Sequence, residues 1–227
     1  VSAASIGFQR AVARTAIGLH DTFQAPNRMM HNGAMPDCGT ALVIRARVCP
    51  EDHETLREYH RKNCMVLRDV RGYRSMTVWE STEDPEDFLM LLLFDDDRSA
   101  DEGLKATTEA GPLVESMKRV CDPPDVRRTR LVSFWGPAPC LFPLGTVVSV
   151  SFRTADPGYG SDLVDELDRI FSELSFLPGF LGCAIGRNSA LREEVVGLAF
   201  WRDEPSFRQS LPHKHPHQVR AYRKVMG

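Results

Sequence analysis

The chain has 227 residues, is 42% hydrophobic and 26% charged, and carries a net charge of −3. That is the composition of a folded globular protein with both signs of charge interspersed, and it lacks the basic stripe of a nucleic-acid binder. No apolar run approaches the roughly 20 residues of a membrane-spanning helix; the longest, residues 88 to 94, has the length of a buried strand.

The six cysteines (Cys38, Cys49, Cys64, Cys121, Cys140 and Cys183) form no C-x-x-C pair and have no zinc-finger spacing. They read as reduced, buried thiols in a reducing compartment, either the cytoplasm or the interior of an organelle such as a mitochondrion or plastid.

Residues 1 to 38 form an N-terminal extension. Its first 36 residues set Arg10, Arg14 and Arg28 against one acid, Asp21. Phe8, Val12, Ala16, Leu19 and Phe23 recur at helical spacing. An acid-poor amphipathic helix suits organelle targeting, or a surface helix that packs on the domain or on a partner.

From residue 41 the pattern alternates. In ALVIRARV (41 to 48), Leu42, Ile44, Ala46 and Val48 stand against Val43, Arg45 and Arg47, as in a half-buried strand. A helical stretch (51 to 68) runs into a glycine turn at Gly72. Two strands follow, YRSMTVWE and DFLMLLLF, and then an acidic turn. Asp95, Asp96 and Asp97 there read as capping and N-terminal charge for the next helix. A fourth strand, RRTRLVSFW, completes residues 39 to 135 as one β-α-β-β-α-β unit. Residues 136 to 144 (GPAPCLFPL) form a Pro-rich linker.

Residues 145 to 227 repeat the order. VSVSFR (148 to 153) alternates, and a helix over 159 to 175 carries the stripe Leu163, Leu167, Ile170, Phe171 and Leu174. The Gly179 turn, the strands FLGCAIGR and EVVGLAFW, and a helix opening in RDEPSF come next. At an offset of 107, Gly72 meets Gly179, Leu91 meets Leu198, Asp96 meets Asp203 and Ser99 meets Ser206. The first strands match best at 106, which puts Arg47 and Arg153 in matching places. HQVRAYRKVMG ends where a fourth strand is due, so the second copy reads as lacking it: either the sequence stops short of that strand, or the N-terminal segment supplies the missing edge.

The fold class is α+β: tandem ferredoxin-like repeats whose two sheets pack face to face as a barrel within one chain. Alternation assigns Met76, Val78, Leu89, Leu91 and Leu93 to the helix side of the first sheet. Cys183, Ile185, Val196, Leu198 and Phe200 take that side of the second. The opposite face then carries Arg45, Arg47, Tyr73, Ser75, Thr77, Trp79, Met90 and Phe94, with Ser149, Ser151, Arg153, Phe180, Gly182, Ala184 and Trp201. That set is too polar for a purely structural core and predicts a ligand pocket between the sheets.

In this order of elements, TVWESTEDPEDFLMLLLFDDD and GLAFWRDEPSFRQSLPHKHPHQVRAYRK resemble antibiotic-biosynthesis-monooxygenase-like domains of the dimeric α/β-barrel superfamily. The resemblance covers residues 39 to 227 apart from the linker. It implies a small aromatic ligand and a cofactor-independent monooxygenase, whose substrate supplies the reducing carbon. The Asn, helical Trp and His of haem-degrading relatives are not matched, so no cofactor is implied. The same departures fit a non-catalytic accessory subunit of a larger, organellar complex. A free chain is expected to be a monomer, since duplication replaces dimerisation.

Six residues are candidates for ligand binding: Arg47 and Arg153 for an anionic oxygen, Trp79 and Trp201 as stacking walls, Tyr73 as a donor, and His217 facing the pocket. His213, His215 and His217 fall on one face of an extended segment, but no acidic fourth ligand stands near them, and no metal is assigned.

Overall fold

A computed structural model describes residues 39–109, 124–211 and 219–227. Its strands are β1 (Thr40–Arg47), β2 (Tyr73–Ser81), β3 (Asp87–Phe94), β4 (Asp125–Trp135), β5 (Val147–Thr154), β6 (Phe180–Asn188), β7 (Glu194–Trp201) and β8 (Arg220–Met226). The helices are α1 (His53–Leu67), α2 (Asp97–Glu109), α3 (Gly160–Leu174) and α4 (Glu204–Ser210). No helix among the described residues is long and apolar enough to cross a membrane.

The strands close into one barrel in the order β1-β3-β2-β8-β5-β7-β6-β4, with every neighbouring pair antiparallel. Each copy contributes the ferredoxin-like order 4-1-3-2, and the copies join at two seams, β2–β8 and β6–β4. Four places apart in a ring of eight, β1 and β5 run the same way, so the pseudo-twofold lies along the barrel axis. Closure gives every strand a hydrogen-bonded neighbour on both sides.

The second copy therefore does have its fourth strand, contrary to expectation: it is β8. Its charge hid it. Tyr222 and Lys224 point inward and are buried, while Arg223 points outward to Glu204 at 3.2 Å. A strand at a seam between copies carries polar groups on both faces and shows no apolar period.

Both copies turn at a glycine with positive φ, Gly72 at 83° and Gly179 at 84°. Their carbonyls accept from Asp95 N and Arg202 N at 2.8 and 2.7 Å. A Cβ at either would lie 2.3 or 2.2 Å from the hydroxyl oxygen of Ser99 or Ser206, so both the conformation and the space require glycine. Those serines sit at the capped helix starts: Asp96 accepts from Ser99 N at 2.7 Å and Asp203 from Ser206 N at 2.8 Å.

The core has three parts. Ala41, Val43, Trp79, Leu89, Leu91, Leu93, Leu131, Val148, Val150, Val196, Leu198, Phe200 and Tyr222 fill the barrel. A second cluster lies between the first sheet and α1 and α2, and a third between the second sheet and α3 and α4. Two face assignments are thus corrected. The alternate residues of β3 and β7 expected under the helices (Leu89, Leu91, Leu93, Val196, Leu198 and Phe200) fill the barrel. Tyr73, Met90, Phe94, Ser149, Ser151, Arg153, Phe180 and Trp201, expected between the sheets, lie on the helix side. Every residue of β3 and β7 is buried, and a strand buried on both faces has no polar phase to read.

The first strands register at 107, not 106. Thr40 pairs with Phe94 and Val147 with Trp201, so Ala46 is the counterpart of Arg153. Arg47 and Arg153 do not occupy matching places.

Candidate functional site

Corresponding positions in the two halves are packed differently. On the helix side of the first sheet, β1 offers Leu42, Ile44 and Ala46, and β3 offers Met90 and Leu92. These fill the space beneath α1 and α2. The same places in the second sheet hold Ser149, Ser151 and Arg153 on β5, and Gly197 and Ala199 on β7. Four large side chains have become small ones, and an alanine has become an arginine.

The volume left behind is a cavity of about 50 Å³. Ser149, Ser151, Arg153, Gly197 and Trp201 form its floor, Leu167, Ile170, Phe171 and Leu174 of α3 one wall, and Phe207 and Ser210 of α4 another. Leu211 and Val219 complete the lining. The cavity has room for water but not for an aromatic ring unless side chains of its lining move.

Several polar groups line this space. Trp201 Nε1 donates to Ser149 Oγ at 3.1 Å, and that hydroxyl donates to the Ala199 carbonyl at 3.3 Å, so this edge of the floor is satisfied. Arg153 is not. Its nearest carboxylate is Glu166, with Nη1 to Oε1 at 3.9 Å, and its buried Nε has no hydrogen-bond partner. Burial lowers the pKa of this guanidinium, and Glu166 offsets that only in part. A cation with a spare donor, facing a cavity, is arranged to meet an acceptor or an anion.

The structure brings together two of the six expected ligand residues, Arg153 and Trp201. Trp79 lies inside the barrel, donating to Thr77 Oγ1 at 2.8 Å and packing 6.0 Å from the Phe200 ring. Arg47 is at the exposed end of β1, bonded to Asp84 and Glu86 at 2.8 and 2.7 Å; those acceptors raise its pKa. Tyr73 packs under the first copy's helices with its hydroxyl 3.9 Å from Cys64 Sγ, and burial pushes its pKa up. His217 lies outside the described residues, as do His213 and His215. Among the described residues no group of His, Cys, Asp and Glu gathers as a metal site.

Sequence reasoning missed Ser149, Ser151, Gly197 and Phe171 as site residues. The signal was present. Aligning the strands at 107 shows Leu to Ser, Ile to Ser and Met to Gly at three facing positions, which no interchangeable core would tolerate.

Residues 40–106 match the family model for antibiotic biosynthesis monooxygenase. The match spans β1 to α2, the half whose helix side is filled. No curated protein matches the chain. Among solved structures, a proposed monooxygenase of Fusobacterium nucleatum is 11% identical and superposes with a TM-score of 0.64, covering 85% of this chain and 94% of that one. An anthrone oxidase-like protein is 14% identical with a TM-score of 0.62, over 84% and 92%. A proposed monooxygenase of Lactobacillus acidophilus is 13% identical with a TM-score of 0.60, over 82% and 93%. At these identities the likeness is one of fold. It extends over both halves, beyond the matched segment.

Helix α4 walls the cavity, and its cap has a defined pH range. The hydrogen bonds from Ser206 and Arg202 hold the Asp203 carboxyl down to about 2. A carboxylate with a lowered folded pKa stabilises above its ordinary range, and that stabilisation is lost as pH falls through the folded value. The stability difference between the native chain and Asp203→Asn should therefore stay constant from neutral pH to the ordinary carboxylate range near 4 and shrink as the pH approaches 2. Urea titrations across that range measure it.

Proposed function

We propose that the cavity between α3, α4 and the β5–β7 face binds a small, flat, aromatic molecule carrying an anionic oxygen, with Arg153 receiving that oxygen and Trp201 and Phe171 flanking the ring. The observation that carries this reading is the exchange of a filled core in one half for small residues around an incompletely bonded arginine in the other. A half maintained only for folding would keep its aliphatic side chains, because each buried methylene contributes about 0.8 kcal/mol and an incompletely paired buried charge detracts.

The reaction class that goes with this site is cofactor-free oxygenation. There the electrons that reduce dioxygen come from the substrate's own enolate or phenolate. Arg153 would stabilise that anion in a site largely covered by α3 and α4. The neighbouring folds described as monooxygenases and as anthrone oxidase-like support this class by analogy alone.

The test is a titration of the full chain with aromatic carboxylates, phenolates and their neutral analogues, followed by oxygen uptake for each compound that binds. The anionic members should bind saturably and their neutral analogues on the order of tenfold more weakly. Gly197→Ala puts a Cβ 2.9 Å from Ser151 Oγ and 3.2 Å from the Phe171 ring, and should weaken binding with little effect on folding. Equal binding of charged and neutral compounds would remove the role given to Arg153. Binding without oxygen uptake would remove the oxygenase class and leave a ligand-binding protein.

A further inference from the structure

Helices α2 and α4 hold the same place in the two halves, but α2 is fastened to its sheet by more bonds. Asp97 of α2 accepts from Thr40 Oγ1 at 2.8 Å and from Arg130 Nη2 at 2.9 Å, and Asp101 accepts from Arg128. These bonds reach β1 and β4. At an offset of 107 the two carboxylates become Glu204 and Arg208, and Thr40 becomes Val147. Strand pairing assigns the other partners. Thr40 faces Arg130 as Val147 faces Arg223, and Leu42 faces Arg128 as Ser149 faces Ala221. Of the three ties only Arg223–Glu204 remains, at 3.2 Å. Arg208 of α4 itself competes for that carboxylate, with bonds of 2.8 and 2.6 Å. Among the described residues, Arg223–Glu204 is the one polar side-chain contact from α4 to another strand or helix.

The apolar side of the helix differs too. Helix α2 meets β3 through small residues, Ala100 and Gly103, and a Cβ at Gly103 would lie 2.6 Å from the Phe94 ring. The counterparts of Ala100, Gly103 and Phe94 are Phe207, Ser210 and Trp201. Phe207 is buried with its ring 6.5 Å from that of Trp201, and both line the cavity. The more lightly tied helix thus puts a phenyl ring where its counterpart has a methyl group.

We propose that α4 is the gate of the cavity, with Phe207 as the plug it carries and Arg223–Glu204 as the latch that holds it shut. The proposal rests on the binding site described under the proposed function and adds the way in. A ligand ring that stacks on Trp201 has to lie where Phe207 closes on it. Two successive ring contacts of at least about 4.5 Å span roughly 9 Å, against the 6.5 Å present, so α4 must move outward by roughly 2–3 Å. One partly exposed ion pair is a contact that breaks readily, which suits a gate that opens at every ligand exchange. The triple tie of α2 suits the half whose helix side is filled.

Arg223→Ala in the full chain tests the latch without any ligand. Hydrogen exchange at the amides of residues 207–211 should become roughly threefold faster, the effect of losing a surface ion pair, with the α2 and α3 amides unchanged. Phe207→Ala, which gives α4 the residue of its counterpart, tests the plug with 1-naphthoate as the probe. It should bind the probe on the order of tenfold more tightly than the native chain, because the ring-sized space is already open. Where Phe207→Ala fails to fold, the exchange rates of Arg223→Ala decide alone. Unchanged exchange at residues 207–211 in Arg223→Ala would overturn the gate, and so would a folded Phe207→Ala that binds 1-naphthoate no more tightly than the native chain. Tighter binding of 1-naphthoate and of neutral naphthalene alike would uphold the gate and remove instead the role given to Arg153.

Discussion

Replacing Arg153 with leucine is expected to make the protein more stable and at the same time to weaken binding of an anionic aromatic ligand on the order of a hundredfold. Both effects have one cause. The guanidinium is largely withdrawn from water, Glu166 stands 3.9 Å away, and Nε has no acceptor. A buried charge paired this loosely costs more than a well-packed apolar side chain of similar size, and replacing buried ionic groups by apolar ones is often neutral or gains about 1–4 kcal/mol. Some of that cost is already relieved, because the side chain is 23% exposed, so the lower part of the range applies. The loss of affinity follows from a charge-assisted hydrogen bond in a largely buried site, worth about 1.5–3 kcal/mol. Chemical denaturation and ligand titration on the same preparation separate the two. Stability and affinity falling together would mean that Arg153 is structural, held by bonds that bind no ligand.

Asp87→Ala is expected to cost about 2–4 kcal/mol, a large share of the 5–15 kcal/mol that holds a typical domain folded. Asp87 opens β3, is 3% exposed, and is surrounded by donors. Arg45 of β1 forks onto it with two bonds of 2.8 Å, and Arg220 Nη1 and the Tyr222 hydroxyl of β8 each donate at 3.2 Å. It therefore binds a strand of its own copy and, across β2, a strand of the other. Removing it leaves two guanidiniums and a buried phenol without their acceptor. Both arginines reach solvent in part, which keeps the cost below that of a fully buried pair.

The counterpart at 107 is Glu194, which accepts from Asn188 Nδ2 at 2.6 Å and from Arg127 Nε at 3.0 Å. Here β7 is tied through β6 to β4, again across a seam between copies. The two carboxylates thus fasten the two seams at the mouth opposite the linker. The seams lie at separate places on the barrel, so Asp87→Ala and Glu194→Ala should add nearly independently, as urea midpoints of the single and double variants would show. A neutral Asp87→Ala would mean that hydrophobic filling alone closes the barrel.

The sequence made the repeat legible because the punctuation is physical. Gly72 and Gly179 need positive φ, Asp96 and Asp203 cap helices, and both sets survive divergence of the residues between them. The sheet faces were not legible. In β3 and β7 both faces are buried, one in the barrel and one beneath helices, so alternation has no phase. In β5 it has a phase, but the inverted one: its polar residues face the helices, because that is where the cavity is. An expectation that polar means away from the helices therefore put Arg153 on the wrong side of the sheet, and the missing phase of β7 did the same for Trp201. Strand β8 was missed for a related reason. A strand whose inward residues include Tyr222 and Lys224, bonded to Asp87 and to linker carbonyls, does not read as apolar. In each case the local pattern broke where the chain does something other than fill a core.

The measurement that bears most directly on the account is backbone NMR of the full chain titrated with the tightest-binding aromatic anion. A site in the second half predicts saturable shifts at Ser151, Gly197, Phe171 and Leu211, with Leu42, Ile44, Met90 and Leu92 unmoved at the corresponding places of the first half. Shifts confined to the first half or to the barrel interior, or no saturable shifts at all, would contradict it. The exchange of aliphatic for small side chains in the second sheet would then need another cause, and a scaffold within a larger complex would become the better account of the fold.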